Sequence, residues 1–359
     1  GSNPASIYNG TTLVDITHTS APVDPKHAII FKSHVFLSGQ SANKQSVAFS
    51  APYSDTNFSA GEGGGSVQVD SEIVGLKTFR GELYIFCKDK IFKIAGTSAA
   101  DFTLSPVTRD IGCVNGATIQ EFAGDLIFLA VDGLRTIAGT AKIGDVELGT
   151  ISKAVQPRFS RSTNTDQYVS VVIPNKTQYR LFFCNTALTE ANTTGIICSM
   201  KDTGFEFADL KGIKPSCTDT DITGQVPIVY HGGYDGYIYR QEVGGTFNGG
   251  EIKGVYRSPD LSMGDVGIRK NFQHIIINYA PESSVSADLF LRYDYEATDV
   301  SRPAAYPFDS SQVIALYGTA IYSGGGTYGA QSQPLVRQAV EGSGYALALR
   351  VHDNGQSEP

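Results

Sequence analysis

The sequence contains the stretch Phe79-Arg80-Gly81-Glu82-Leu83, which returns 43 residues later as Phe122-Ala123-Gly124-Asp125-Leu126. The same spacing holds at two further anchors, Asp89-Lys90-Ile91 with Asp132-Gly133-Leu134 and Ile94-Ala95-Gly96 with Ile137-Ala138-Gly139. A period near 43 residues is the length of one four-stranded blade of a β-propeller. Because one blade cannot bury both of its faces alone, the repeat predicts several such sheets packed side by side.

Each copy of the repeat has the local pattern of a blade. Gly81 and Gly124 occupy turn positions, where glycine tolerates positive φ. The runs 83–86 and 126–129 are continuously apolar, which is typical of an inner strand covered on both faces. Asp132-Gly133 and Asp235-Gly236 are hairpin-turn dipeptides. A weaker copy of the first strand pair is Phe31-Lys32-Ser33-His34-Val35.

These patterns predict an all-β chain in three parts. Residues 1–26 are polar and proline-containing, and are expected to form an N-terminal arm or linker. Residues 27–266 are assigned to a β-propeller-like domain of four-stranded blades. Residues 267–359 show clean alternation of apolar and polar positions, which indicates an antiparallel β-sandwich. The sequence ends in the turn-like residues 354–359 with no closing strand, so the native chain is expected to continue and the sandwich to be truncated.

One segment departs from the β pattern. Ile151, Val155 and Phe159 stand at helical spacing, with Thr150 or Ser152 available as an N-terminal cap. The sequence therefore predicts one short helix near residues 151–159, inserted between blades.

Composition restricts the classes of function. The 359 residues include 39 Gly, 18 Tyr and 19 Phe, and charged residues make up only 18%, a profile typical of many short strands joined by turns. The net charge of −8 argues against a surface that grips nucleic acid, although a ring through which DNA passes without adhering remains compatible with it. No apolar run is long enough for a membrane helix, so no membrane insertion is expected.

The cysteines and histidines do not have ligand spacing. Five cysteines occur and none forms a C-x-x-C pair, which disfavours a disulfide framework or a zinc site. Cys184 and Cys198 could still face each other across a hairpin. The six histidines are assigned structural or surface roles, and no metal or cofactor is expected. They are His18, His27, His34, His231, His274 and His352.

No catalytic residue is predicted. A retaining glycosidase would need two carboxyl groups about 5 Å apart, one with a raised pKa, and the sequence does not reveal such a pair. The turn-associated carboxylates are instead assigned to turn formation; they are Asp219, Asp221, Asp235 and Asp265. Asp294 lies in an alternating strand, where an edge or interface charge is expected. The glycine-rich stretch 61–65 is expected to be a flexible connection.

An ordered series of motifs resembles a known family. In the C-terminal third these motifs are Arg269-Lys270-Asn271-Phe272, Leu291-Arg292-Tyr293-Asp294-Tyr295, Arg302-Pro303-Ala304, residues 317–322 and the segment from Arg337 to Ala346 with its Arg-x-x-x-x-Gly-x-Gly spacing. Asp110-Ile111-Gly112-Cys113 and residues 125–133 continue the series in the middle of the chain. Together they resemble the tail nozzle and tail-hub proteins of tailed bacteriophages, which are virion structural proteins.

The resemblance implies a non-catalytic function. It implies a homo-oligomeric ring in the virion tail, commonly of six copies, next to portal and adaptor rings. Such a ring retains the genome and then conducts it, and the DNA passes through the lumen without specific binding. The protein would be made in the cytoplasm of the bacterial host. The alternative reading is a carbohydrate-binding or glycan-cleaving surface propeller, which the tyrosine content permits and the absence of Trp disfavours.

Overall fold

The computed structural model describes residues 3–138, 150–159, 168–183, 194–202, 204–224, 226–244, 246–278, 286–296, 304–309, 314–315, 327–328 and 335–353. The chain divides into two compact units, Gly1–Glu242 and Val243–Pro359. The described residues form strands, turns and a few short helical turns, which confirms the all-β prediction. None of the helices found in these ranges is long and apolar enough to cross a membrane.

The described part of the first unit consists of an arm hairpin and five antiparallel sheets in chain order. Sheets 1, 2 and 4 have four strands each, and sheets 3 and 5 have three in the described ranges. The strands are β1 (Ser6–Tyr8) and β2 (Leu13–Asp15) in the arm; β3 (His27–Phe31), β4 (His34–Gln40), β5 (Asn43–Phe49) and β6 (Gly65–Gln68) in sheet 1; β7 (Ile73–Phe79), β8 (Glu82–Cys87), β9 (Ile91–Ala95) and β10 (Thr103–Thr108) in sheet 2; β11 (Gln120–Phe122), β12 (Asp125–Ala130) and β13 (Gly133–Thr136) in sheet 3; β14 (Tyr168–Ile173), β15 (Gln178–Phe183), β16 (Thr194–Lys201) and β17 (Gly204–Lys211) in sheet 4; and β18 (Pro215–Asp221), β19 (Ile228–Gly233) and β20 (Ile238–Arg240) in sheet 5.

The second strands of sheets 2 and 3 are covered on both faces, as their continuous apolar runs predict. In β8, Leu83 and Ile85 lie in the core between sheets 1 and 2, while Phe86 lies in the core between sheets 2 and 3. The residues of β12 that are equivalent to these lie in the next cores along the chain. Leu126 belongs to the core between sheets 2 and 3, and Leu129 to the core between sheets 3 and 4. The cores between neighbouring sheets therefore recur with the same 43-residue spacing as the strands.

The first two strands of sheets 1, 2 and 3 are joined by the same tight turn. Its two central residues both have positive φ: Lys32-Ser33 at 47° and 63°, Arg80-Gly81 at 48° and 78°, and Ala123-Gly124 at 55° and 75°. This is the type I′ geometry, which matches the twist of the flanking strands. The weak copy that starts at Phe31 is thus structurally equivalent to the two clear copies.

Hydrogen bonds connect the first strands of neighbouring sheets. Ser170 of β14 donates from Oγ to the carbonyl of Ala117 before sheet 3 at 2.9 Å, and its own carbonyl accepts from Gln120 of β11 at 3.1 Å. On the other side the same carbonyl accepts from Thr218 Oγ1 of β18 at 2.8 Å. First strands of adjacent sheets also contact one another directly, as in a propeller.

The arm occupies the face of sheet 1 that no preceding sheet covers. Ile16 is buried there against Leu37, Ala48 and Phe58. In the glycine-rich stretch after Phe58, Ala60–Glu62 form a 3-10 turn. A side chain on Gly64 would come within 2.7 Å of the Phe58 backbone.

The inserted helix is present but shorter than predicted. Lys153–Val155 is a 3-10 turn and Gln156–Phe159 a single α-helical turn. The predicted apolar face, Ile151, Val155 and Phe159, packs in the core between sheets 3 and 4. The predicted cap is wrong, because Ser152 Oγ accepts instead from the amide of Leu134 at 2.9 Å.

The second unit is a two-layered β-sandwich, as predicted. One layer is a four-stranded sheet and the facing layer is a strand pair. The sheet has the order β23 (Val255–Arg257), β32 (Leu347–Asp353), β26 (Ser286–Tyr293) and β27 (Tyr306–Asp309), and the pair is β25 (His274–Asn278) with β30 (Leu335–Ala339). The core between them includes Leu289, Leu291 and Tyr293 of β26 with Ile275 and Val336 of the facing pair. The strands of this unit are β21 (Thr246–Phe247), β22 (Gly250–Glu251), β23 (Val255–Arg257), β24 (Lys270–Asn271), β25 (His274–Asn278), β26 (Ser286–Tyr293), β27 (Tyr306–Asp309), β28 (Ile314–Ala315), β29 (Thr327–Tyr328), β30 (Leu335–Ala339), β31 (Ser343–Gly344) and β32 (Leu347–Asp353).

The unit boundary differs from the expected division at 266/267. Strand β23 pairs with β32, with Tyr256 opposite Val351. This pairing assigns residues 255–257 to the sandwich sheet, and the second unit accordingly begins at Val243.

Candidate functional site

A polar cluster lies between sheets 4 and 5; its members are Lys176, Gln178, Arg180, Gln241 and Glu242. Arg180 of β15 is buried there, and its Nη1 lies 2.7 Å from Glu242 Oε1. Its Nη2 donates to Gln178 Oε1 at 2.9 Å, and its Nη1 lies 3.4 Å from Gln241 Oε1. Lys176 forms an ion pair with the second oxygen of Glu242. Burial opposes ionisation of Glu242, but Lys176 and Arg180 outweigh it and hold the pKa below its usual value.

A pair of stacked rings on sheet 5 lies next to these polar side chains. The predicted Asp235-Gly236 turn is present, and it sets His231 directly opposite Tyr239 in the β19–β20 ladder. Their rings stack with centroids 5.1 Å apart and planes 20° apart. Gln241 Nε2 lies 3.3 Å from His231 Nδ1 and so links the aromatic pair to Arg180. Burial lowers the pKa of His231, partly opposed by Asp235, so the imidazole is neutral at neutral pH.

The turn carboxylates mostly behave as the sequence analysis expects. Asp221, Asp235 and Asp265 each accept the amide two residues ahead, which is the Asx-turn pattern. Asp219 differs, because it lies inside β18 on an exposed position. Asp294 holds a loop, since its Oδ1 accepts the amides of residues 345 and 346 at 2.6 and 3.1 Å.

The histidines and cysteines occupy separate structural positions. No group of three potential ligands from His, Cys, Asp and Glu occurs within the ranges that the structure describes. His34 is buried, with Nδ1 2.6 Å from the carbonyl of Ser50, and Phe36, Phe49 and Phe102 pack around its ring. The four described cysteines are free: Cys87, Cys113, Cys198 and Cys217. Cys184, and with it the hairpin pairing considered above, lies outside the described residues.

The surroundings of Asp235 and Glu242 favour the charged forms of both carboxylates. The hydrogen bond from the Tyr239 hydroxyl holds the pKa of Asp235 below its usual value, and Glu242 is shifted in the same direction. A glycosidase acid has the opposite requirement, a pKa raised toward neutrality. The groups that meet at this site are a buried guanidinium with its carboxylate partner, side-chain amides and aromatic rings.

Sequence reasoning located the turn but missed the cluster around it. The Asp235-Gly236 dipeptide marks the hairpin, but the observed register is centred on Asp235, with residue 231 opposite residue 239. Counting outward from a two-residue turn would instead pair residue 231 with residue 240, so the dipeptide alone does not identify the stacked pair. Arg180 could not be found in this way, because its partners Gln241 and Glu242 lie about 60 residues away on another sheet.

Comparison with known proteins gives no family assignment. No protein-family model and no curated protein sequence matches the chain. Among solved structures, a chain of the S. cerevisiae Dbp5 complex with Nup159, Gle1, IP6 and ADP has a TM-score of 0.35 at 8% identity, covering 60% of this chain and 59% of that chain. Exo-β-1,3-galactanase from Phanerochaete chrysosporium with galactose has a TM-score of 0.29 at 9% identity, covering 99% and 97%. Likeness at this level carries no inference about function.

Proposed function

We propose that this chain is a structural subunit of a bacteriophage tail, of the nozzle or hub class, and that it has no catalytic role. In this proposal several copies, commonly six, form a ring in contact with portal and adaptor proteins. The ring retains the genome and later conducts it. The protein is made in the bacterial host and is located in the virion.

The observation that carries the proposal is that two of the motifs behind the family resemblance pack against each other. Gly342, with φ 132°, belongs to the Arg-x-x-x-x-Gly-x-Gly segment, and a side chain there would meet Tyr293 at 2.5 Å. Tyr293 in turn donates its hydroxyl to the carbonyl of Glu341 at 2.8 Å. A side chain on Gly344 would come within 2.9 Å of Asp294 Oδ1. The motif residues thus form one junction that closes the end of the sandwich.

Exposed apolar side chains of the second unit support assembly with other subunits. Contiguous exposed apolar patches mark interaction surfaces, and the proposal places the following side chains in contacts between copies. The positions concerned occur close together in sequence and are all exposed. They are Val255, Tyr256, Val266, Ile268 and Ile276.

The net charge supports conduction without adhesion. A chain with charge −8 repels the phosphate backbone on average, so DNA in a lumen formed by such subunits would not be held by non-specific binding.

Electron microscopy of the purified chain, alone and mixed with portal and adaptor proteins of tailed bacteriophages, tests the proposal. Ring-shaped particles that contain this chain are expected, together with little DNA retention on filters at physiological salt. A matched pair of variants, Tyr256→Asp in the sandwich and Tyr53→Asp in the loop between β5 and β6, should separate specific loss of assembly from a general effect of added charge. A chain that stays monomeric with every tail partner would refute the proposal. Tight DNA binding at physiological salt would refute the conduction mechanism.

A further inference from the structure

The tip of the β19–β20 hairpin presents an aromatic and acidic surface to solvent. Tyr234, Asp235 and Gly236 form the loop, Tyr237 follows it, and Tyr239 lies in β20. The loop is closed by a hydrogen bond from the amide of Gly233 to the carbonyl of Tyr237 at 2.8 Å. The hairpin tip is defined as residues 233–239.

The carboxylate of the hairpin tip is fixed in place. Asp235 Oδ1 accepts the amide of Tyr237 at 3.2 Å, and Oδ2 accepts the hydroxyl of Tyr239. Gly233 makes this possible, because a side chain there would come within 2.2 Å of Asp235 Oδ1. Each oxygen retains acceptor capacity toward solvent. The result is an exposed, ionised acceptor that requires little reorganisation to receive hydroxyl donors.

The aromatic rings of the hairpin tip differ in availability. Tyr239 is held from behind by His231, whose ring stacks on it. Tyr237 lies beside Tyr239, with centroids 6.5 Å apart and planes tilted by 57°, and is 69% exposed. Lys214 lies over the ring of Tyr234 at 5.3 Å and partly covers it. Tyr237 is therefore the ring that offers a free face next to the fixed carboxylate.

We infer that the hairpin tip is a binding site for a neutral carbohydrate. A pyranose ring has an apolar C–H face that packs on an aromatic ring, and hydroxyl groups at its edge that donate to a carboxylate. Hydrogen bonds from hydroxyl to carboxylate are among the stronger ones that uncharged ligands make. Stacking on Tyr237 with hydroxyl donation to Asp235 uses both features at once.

The charge of the site selects neutral sugars over acidic ones. Asp235 is ionised at neutral pH, because its pKa lies below the usual value, and the whole chain carries net charge −8. A uronate or sialate carboxylate beside Asp235 would be repelled. The inference does not depend on ring assembly, since every residue of the site belongs to one hairpin of one chain.

Binding of the purified chain to a panel of neutral hexose and N-acetylhexosamine oligosaccharides tests the inference, with oligogalacturonates as the anionic counterpart. At least one neutral oligosaccharide is expected to bind, with little or no binding of the oligogalacturonates. Tyr237→Ala should raise the dissociation constant about tenfold, the size expected for loss of an aromatic stacking contact. Asp235→Asn should raise it as well. Tyr237→Phe should retain most of the affinity because the stacking face remains.

Tyr53→Ala is the matched control, because Tyr53 is 93% exposed in the loop between β5 and β6 and lies outside the hairpin tip. Its affinity should equal that of the unmodified chain. Circular dichroism and thermal unfolding of each variant establish that the fold is retained. Failure of all neutral oligosaccharides to bind at millimolar concentration overturns the inference. It is equally overturned by an unchanged affinity in Tyr237→Ala, by preferential binding of oligogalacturonates, or by capture of a protein at this tip in place of a sugar.

Discussion

Packing between consecutive sheets can be tested at one pair of rings. Phe86 of sheet 2 and Phe128 of sheet 3 are both fully buried, with ring centroids 5.3 Å apart and planes 60° apart. Phe→Leu at either position removes ring contacts but keeps an apolar side chain, so each change is expected to cost about 1–1.5 kcal/mol of the free energy of unfolding. An aromatic pair contributes about 0.5–1.5 kcal/mol beyond burial. The double variant should therefore lose less than the sum of the single losses by about 0.5–1 kcal/mol.

Urea unfolding followed by far-ultraviolet circular dichroism gives the four free energies of this cycle. Phe36 is an internal control, because it is fully buried but belongs to the core between sheets 1 and 2. The Phe36→Leu and Phe128→Leu changes should be additive within about 0.3–0.5 kcal/mol. Additivity of the Phe86 and Phe128 changes would mean that the two rings do not share a core, and the interface repeat derived above would be wrong.

Three further outcomes follow from particular residues. Gly112→Ala should destabilise the chain more than Gly124→Ala. The added carbon at residue 112 would lie 2.2 Å from the backbone of Lys88, whereas nothing lies within 4 Å of an added carbon at residue 124. Thermal unfolding of the two variants tests this, and a larger loss of stability for Gly124→Ala would contradict the packing. Glu242 has a folded pKa below its ordinary value of 4.5, so its contribution to stability is full above that pH and is lost as the pH falls through the folded pKa. The Glu242→Gln variant should therefore show a weaker loss of stability in acid titrations, and an unchanged acid transition would contradict this. Cys217 is exposed and should react with a maleimide in the folded chain, as peptide mapping would show, while labelling of the buried thiols before unfolding would contradict the structure. Burial raises the pKa of those buried thiols to about 12 in each case; they belong to Cys87, Cys113 and Cys198.

Local chemistry explains why the sheets were predictable from sequence. A type I′ turn requires two consecutive residues of positive φ, and Arg80-Gly81 and Ala123-Gly124 mark it at a fixed distance from an apolar run. The run itself reports a strand covered on both faces. Each signal lies within about ten residues, so no knowledge of the tertiary structure is needed.

The remaining features depend on contacts between distant segments. The Thr150 and Ser152 hydroxyls were available as helix caps, but the structure uses both elsewhere, at Asp132 and at the amide of Leu134. The start of the second unit depends on the pairing of β23 with β32, about 95 residues apart. Alternation in sequence shows that such a strand exists but does not identify its partner.

At Arg180 the side chain at a repeated position of the second strand changes from apolar or aromatic to charged. In β8 and β12 the corresponding positions, Tyr84 and Ile127, face the next sheet from within an aromatic or aliphatic core. In β15 this position carries a guanidinium, because sheet 5 supplies Gln241 and Glu242 where the earlier sheets supply apolar side chains. A buried ion pair contributes less net stability than apolar packing of similar volume, since both charges must be desolvated. The sheet 4–5 interface is thus expected to be the least stable of the series, and hydrogen exchange should find β19 and β20 less protected than β8 and β12. Uniform protection across these four strands would show that the apolar contacts around Phe182 and Val229 compensate fully for the buried charge.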